Sequence, residues 1–295
     1  MSKPKIVDCF PYFNEKELLE LRITMLYDHV DQFIITDADH THSGHLKEYT
    51  CVNTLKELGI PLDKIVVMHV KLPSYEQTDN NWIRERLQRD SAISLFEDNA
   101  IYIVSDCDEI IDPTMIENFT NAVINFPQRI IRIPLAWLSG RADLIMSSPD
   151  GEPRSFNTPF MCMKHHSDKH NLSIIREAYA AGPPEGFEFE DLFPLDQYQK
   201  TLQSGWHFSW MGDTDRIKYK MKSFLHSYDK KENIFHNAIA PIYSDGMMQF
   251  LDSYKPEVGK TDTYGRSDHI LLPYPIEKLP KQIFRLSKVK EFLLP

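Results

Sequence analysis

Four apolar runs in the first 104 residues constrain the fold of this chain more than any other feature. Residues 6–10, 31–39, 64–70 and 101–104 are rich in Ile, Val and Phe, and between them lie stretches with helical spacing, such as Leu18, Leu21, Met25 and Leu26. The last run, Ile101-Tyr102-Ile103-Val104, carries no polar alternation, which marks a strand buried on both faces. Strands of that kind alternating with helices form right-handed crossovers and a mainly parallel sheet. Helices are expected at about residues 16–29, with Asn14 as a plausible cap, at 50–58 before Gly59 and Pro61, and at 82–96. The predicted fold class is α/β, a mainly parallel central sheet flanked by helices.

Two of the runs end in acid: Asp37 and Asp39 follow the second, and Asp106, Asp108 and Glu109 follow the fourth. In an open α/β sheet the C-terminal ends of the strands are where ligands bind. Asp106 and Asp108, one residue apart, can both reach a hard cation and the oxygens of a diphosphate. A plain turn is the competing reading, and Asp112-Pro113 fits a helix cap followed by proline at the first helical position. At the end of the first strand Pro11, Tyr12, Asn14 and Glu15 are placed to receive a base and ribose, with Asp37 extending the same polar crevice. Thr41, Ser43, Gly44 and Lys47 read as a loop that touches phosphate or sugar, whereas His40, His42 and His45 lack the spacing of a metal cluster. Arg84 and Arg89 would bring positive charge to a diphosphate, although a charged helical face is usually only solvated.

Further along, residues 128–138 suggest one strand bearing Trp137. Residues 140–163 suggest extended structure that could shape a second groove, with Trp137 and Asn157 as candidates, and residues 164–170 read as polar surface. Glu188, Glu190 and Asp191 are interleaved with aromatics in Gly186-Phe187-Glu188-Phe189-Glu190-Asp191-Leu192-Phe193. Burial there can raise carboxylate basicity, and a bound hydroxyl would orient Glu190 or Asp191 as a general base; an acid-rich helix N-terminus is the alternative. Residues 204–210 form an aromatic strand in which His207 is a metal candidate, and a basic helix over 216–222 follows. His226 is the rival ligand, and Trp206 and Trp210 read as core or as sugar-stacking surfaces. The tail beyond Tyr254 is expected to wrap the domain as an extended arm.

Composition excludes several classes. With 295 residues, 42% hydrophobic, the chain can bury a large core. A net charge of −10 argues against a broad grip on nucleic acid. The four cysteines are far apart, which suggests neither a zinc ribbon nor a disulfide framework. No run suits a signal peptide or a membrane span, so a soluble cytoplasmic protein is expected.

Several motifs occur together and in order. They are Asp8-Cys9-Phe10-Pro11-Tyr12-Phe13-Asn14-Glu15 with Leu18-Leu19-Glu20-Leu21-Arg22, then Thr41-x-Ser43-Gly44-x-x-Lys47 and Trp82-x-x-Glu85. Ser105-Asp106-Cys107-Asp108-Glu109-Ile110 and Gly205-Trp206-His207-Phe208-Ser209 complete the set. Over about residues 6–228 the chain thereby resembles glycosyltransferase family 17. The resemblance implies a GT-A-type nucleotide-sugar-binding fold, with residues 1–245 as the catalytic domain and 246–295 as an extension packed on it. It also implies an inverting mechanism, a UDP-sugar donor, commonly UDP-GlcNAc, and a glycan or other acceptor hydroxyl. Mn²⁺ or Mg²⁺ would be held by Asp108, directly or through water by Asp106, and by His207. Asp191, with Glu190 beside it, is similar to the element that supplies the base. No counterpart of the Golgi relatives' membrane anchor is expected from these residues, which would suit a bacterial or viral setting. Two other classes fit parts of the pattern: a sugar-phosphate nucleotidyltransferase, which would normally open with a Gly-rich loop not seen after Phe10, and an inactive glycan-binding module built on Trp206 and Trp210.

Overall fold

The computed structural model of the chain describes residues 3–190, 204–223, 258–259 and 270–294. Strands β1 (Lys5–Tyr12), β2 (Gln32–Ala38), β3 (Ile65–Val70) and β4 (Ala100–Val104) pair in parallel in the order β3-β2-β1-β4. Helices α1 (Lys16–Leu26), α2 (Cys51–Glu57) and α3 (Asn81–Asp90) make the crossovers. Beyond β4 come antiparallel β10 (Phe160–Met163), then β6 (Arg129–Arg132) and β11 (Glu188–Glu190), which run with β4 and complete seven strands among the described residues. The expected α/β class and mainly parallel sheet are both present.

The two-residue period of a strand explains how this sheet is covered. Ile101 and Ile103 of β4 pack with Leu18, Leu21 and Leu26 of α1, and with Phe119 of α4 (Ile116–Asn125). Ala100, Tyr102 and Val104 point the other way, to Ala92 and to Leu172 and Ile175 of α6 (Leu172–Ala181). With both faces covered, a polar side chain on β4 would have been costly to bury, which is why the run is uninterrupted.

A second sheet, six-stranded among the described residues, has the order β13 (Ile270–Pro273), β8 (Arg141–Ser147), β7 (Leu135–Ser139), β12 (Gly205–Ser209) and β5 (Glu109–Ile111), with β9 (Ser155–Phe156) on β7. Residues 105–108 are the short link from β4 in the first sheet to β5 in the second. Gly205 lets β12 lie close against β5, because an added Cβ would collide with the Ile110 carbonyl.

Several local expectations are corrected. Asn14 does not cap α1: Glu15 holds that position and its carboxylate folds back to accept the N–H groups of Phe13 (3.1 Å) and Asn14 (3.2 Å). The third helix stops at Asp90 and tightens into a 3₁₀ turn, Ser91–Leu95. The run 128–138 is two strands in different sheets, broken around Pro134, whose missing N–H cannot continue a ladder. Residues 164–170 hold a helix, α5 (Lys164–Lys169), with His166 fully buried, and residues 188–190 form a strand. In place of an extended arm, residues 270–294 supply β13 and two short helices, Lys281–Arg285 and Ser287–Leu293, whose Ile283, Val289 and Leu293 join the core beneath α1. All four cysteines are buried free thiols. No helix among the described residues is long and apolar enough to cross a membrane.

Candidate functional site

The link between the sheets is held from inside by one arginine. Arg22 of α1 is fully buried and forks onto Asp8 of β1, at 2.8 Å from Nε and 2.6 Å from Nη2. Its remaining N–H groups donate to the Asp106 carbonyl (2.7 Å), the Glu109 carbonyl (2.8 Å) and Ser105 Oγ (2.6 Å). A planar fork with five donors is suited to this task, where lysine would leave acceptors unmet. The backbone of 105–109 is therefore fixed before any ligand arrives. Arg22 appeared in the sequence only as part of a motif; nothing in its spacing reveals that it ties β1 to residues more than eighty positions away.

The Asp106 side chain, a third exposed, is gripped by two more arginines. Arg89 of α3 donates to Oδ1 and Arg176 of α6 to Oδ2, each at 2.7 Å. Burial alone would raise its pKa, but the guanidinium groups of Arg176 and Arg89 outweigh that and hold the carboxyl well below the usual range. Arg176 also spans Glu109, whose Oε2 receives the Asp106 N–H at 2.7 Å. Arg89 is anchored to Glu85 as well, and its Nη1 is buried without a hydrogen-bond partner. Arg176 was invisible in the sequence, since a single arginine in an amphipathic helix carries no signal.

Asp108, buried, faces the second sheet. Its Oδ1 lies 3.7 Å from His207 Nε2 on β12, and its Oδ2 accepts from Lys220 at 2.8 Å. Lys220 belongs to α7 (Thr214–Ser223). Burial opposes its charge, but Asp108 and then Glu15 raise its pKa above the ordinary lysine value. Burial pushes the His207 imidazole down, against the pull of Asp108, which favours the neutral form that can ligate a metal. Oxygen and nitrogen atoms of Asp108, Glu109 and His207 lie within 4.8 Å of one another, and His207 Nδ1 is buried without a partner. This donor set fits Mn²⁺ or Mg²⁺, with Asp108 and His207 the freer ligands because Arg176 occupies Glu109. Both oxygens of Asp106 are likewise taken by arginine.

The other sequence candidates fall in two groups. Asn14, Glu15 and α7 meet near Asp108: Arg216 donates to the Asn14 carbonyl, and Tyr219 stacks on Phe13 with ring centroids 5.5 Å apart. Pro11 and Tyr12 end β1 on the same edge; the Tyr12 hydroxyl bonds Thr54 at 3.2 Å, and Gln88 ties the Tyr12 and Thr36 carbonyls together. Asp37 and Arg84 serve the scaffold. Asp37 is fully buried, accepting from Lys47 and the Cys51 N–H at 2.8 Å each. Arg84, also fully buried, donates to the carbonyls of His42, Pro73, Ser74 and Thr78 and to Asn81 Oδ1, so its donors are spent on two loops. Glu190 ends β11, level in register with Ile103 three strands away, roughly 14 Å along the sheet at about 4.8 Å per strand; Arg129 pairs with its carboxylate. Asp191 and His226 lie outside the described residues. Trp206 and Trp210 are buried, with the Trp206 indole donating to the Lys278 carbonyl at 3.1 Å.

Acidic and basic side chains thus converge where parallel strands end and two sheets meet, on residues that carry the ordered motifs. Residues 1–131 match the family model of glycosyltransferase family 17. The matched stretch includes every motif of the resemblance except Gly205-Trp206-His207-Phe208-Ser209. No curated protein matches the sequence. Among solved structures, a 4-diphosphocytidyl-2C-methyl-D-erythritol synthase is similar over 68% of this chain and 96% of its own, at 12% identity and a TM-score of 0.35. A mannosyltransferase from Pyrobaculum calidifontis, in complex with GDP-Man and Mn²⁺, is similar over 66% of this chain and 59% of its own, at 11% identity and a TM-score of 0.36.

Proposed function

We propose that this chain is a metal-dependent inverting glycosyltransferase that moves a sugar, GlcNAc by the family resemblance, from a UDP-sugar to a hydroxyl of a glycan. The observation that carries the reading is the pairing of Asp108, on the link between the sheets and inside the family match, with His207 on β12, 3.7 Å away. Asp108 and His207 would hold Mn²⁺ or Mg²⁺. Asp106, kept ionised by Arg89 and Arg176, orders both arginines beside the diphosphate, and the ends of β1 and β2 receive the nucleoside. A bound divalent ion would offset the charge that develops on the departing UDP. Asp191, the residue that follows Glu190 in the sequence, would remove the acceptor proton on the face opposite UDP. Glu190 is the weaker choice, because Arg129 already occupies it.

The test is nucleotide product analysis on UDP-GlcNAc with Mn²⁺ and a mixed glycan acceptor pool. Transfer yields UDP and an extended glycan, and both should vanish on chelation. Pyrophosphate as the product would mean nucleotidyl transfer, and no product from any UDP-sugar would remove the transferase reading. The inactive binding module loses its footing because Trp206 and Trp210 are enclosed in protein.

A further inference from the structure

We propose that Trp137 and Phe156 form the platform on which the acceptor sugar stacks, so that the acceptor offers a pyranose ring and not an isolated hydroxyl. This rests on the transfer reading above and names the residues of the same site that would contact its acceptor. The second sheet places one row of residues in register: Glu109 on β5 is opposite His207 on β12, and His207 is opposite Trp137 on β7. Residues opposite one another share a face of the sheet. Phe156 on β9 is opposite Leu135, two residues from Trp137, and so shares that face as well. The rings meet: Phe156 lies 4.0 Å from His207 and 5.3 Å from Trp137, centroid to centroid, and Trp137 lies 6.3 Å from His207.

The row passes through His207, proposed to hold the metal, and runs away from β1, β2 and β3, where the nucleoside would lie. That is the side from which an acceptor must approach. Trp137 and Phe156 remain half-buried, whereas Trp206 and Trp210 are enclosed, so this pair keeps ring surface available. A pyranose presents C–H groups on its faces, and these match the negative face of an aromatic ring. Small-ligand sites pair such apolar walls with a few polar atoms, and His207 Nδ1, buried and unpartnered, stands at the end of this wall.

The test uses saturation-transfer NMR with methyl β-D-glucopyranoside, methyl α-D-mannopyranoside and N,N′-diacetylchitobiose, in the presence of UDP and Mn²⁺. Wild type, Phe156→Leu, which keeps apolar bulk without a ring, and Phe156→Tyr are compared. At least one glycoside should bind wild type, bind Phe156→Leu about tenfold more weakly, and recover in Phe156→Tyr, while thermal protection by UDP-GlcNAc with Mn²⁺ stays the same in all three. If UDP-GlcNAc protects wild type but no glycoside binds, or Phe156→Leu binds it equally well, the platform is wrong. Absent protection by UDP-GlcNAc in wild type is a separate failure, which removes the transfer reading and the platform together.

Discussion

Replacing Arg22 with Met tests whether the site is held from within. The side chain is fully buried, and its loss strips Asp8 of both hydrogen bonds and frees the Asp106 and Glu109 carbonyls and Ser105 Oγ. Removing one partner of a buried ion pair costs about 3–5 kcal/mol, chiefly because the remaining charge is left without compensation. Against a total stability of about 5–15 kcal/mol that is a large fraction. Urea unfolding followed by tryptophan fluorescence should show the midpoint falling with an unchanged slope. If the buried Asp8 charge is the cause, adding Asp8→Leu to Arg22→Met should recover part of the loss. Under conditions where the single variant is still folded, its affinity for UDP-GlcNAc should also fall, because the 105–109 backbone has lost its anchor. A loss below about 1 kcal/mol, or a double variant no more stable than the single one, would refute the reasoning.

Three further outcomes are expected. Asp108→Asn and His207→Ala should each weaken Mn²⁺ binding, read by electron paramagnetic resonance of the free ion, while circular dichroism stays that of wild type; unchanged affinity in both removes the metal assignment. Asp191→Asn should lower single-turnover transfer by about 10²–10⁴-fold with UDP affinity near wild type, and a defect confined to Glu190→Gln would move the base by one residue. Gly44→Ala should destabilise the protein by about 1–3 kcal/mol, because Gly44 sits at φ +86° and an added Cβ would come within 2.7 Å of the Tyr75 backbone N and the Arg84 guanidinium; an unchanged urea midpoint would show that the 41–47 loop does not constrain this position.

The parallel half of the fold was legible because buried strands such as Ile101-Tyr102-Ile103-Val104 are unbroken apolar runs and the helices between them keep their period. The placement of Asp106 and Asp108 followed from that half alone. The second sheet was not legible: in 128–138 a continuous apolar run conceals that β6 and β7 belong to different sheets, and only Pro134 hints at the break. Charged residues misled most. Arg84 looked like a phosphate ligand on a solvated helix, yet it is fully buried and spent on loop carbonyls. Arg22 and Arg176 make the decisive contacts across 84 and 70 residues of chain, a separation at which local pattern has no content. The aromatic strand alone leaves Trp206 open to a core or a sugar-stacking role, and its bond to the Lys278 carbonyl, supplied by the C-terminal segment, decides for core.

The most direct test is the thermal unfolding of the wild-type chain with UDP-GlcNAc, UDP-glucose, GDP-mannose and CTP, each with and without Mn²⁺. A ligand bound only by the folded state at a hundredfold excess over its Kd stabilises by about 2.7 kcal/mol. A UDP-sugar should raise the midpoint only when Mn²⁺ is present, and the rise should disappear in Asp108→Asn. Equal protection without the metal, or protection by CTP and by no UDP-sugar, would contradict a metal-assisted UDP-sugar site at the junction of the two sheets.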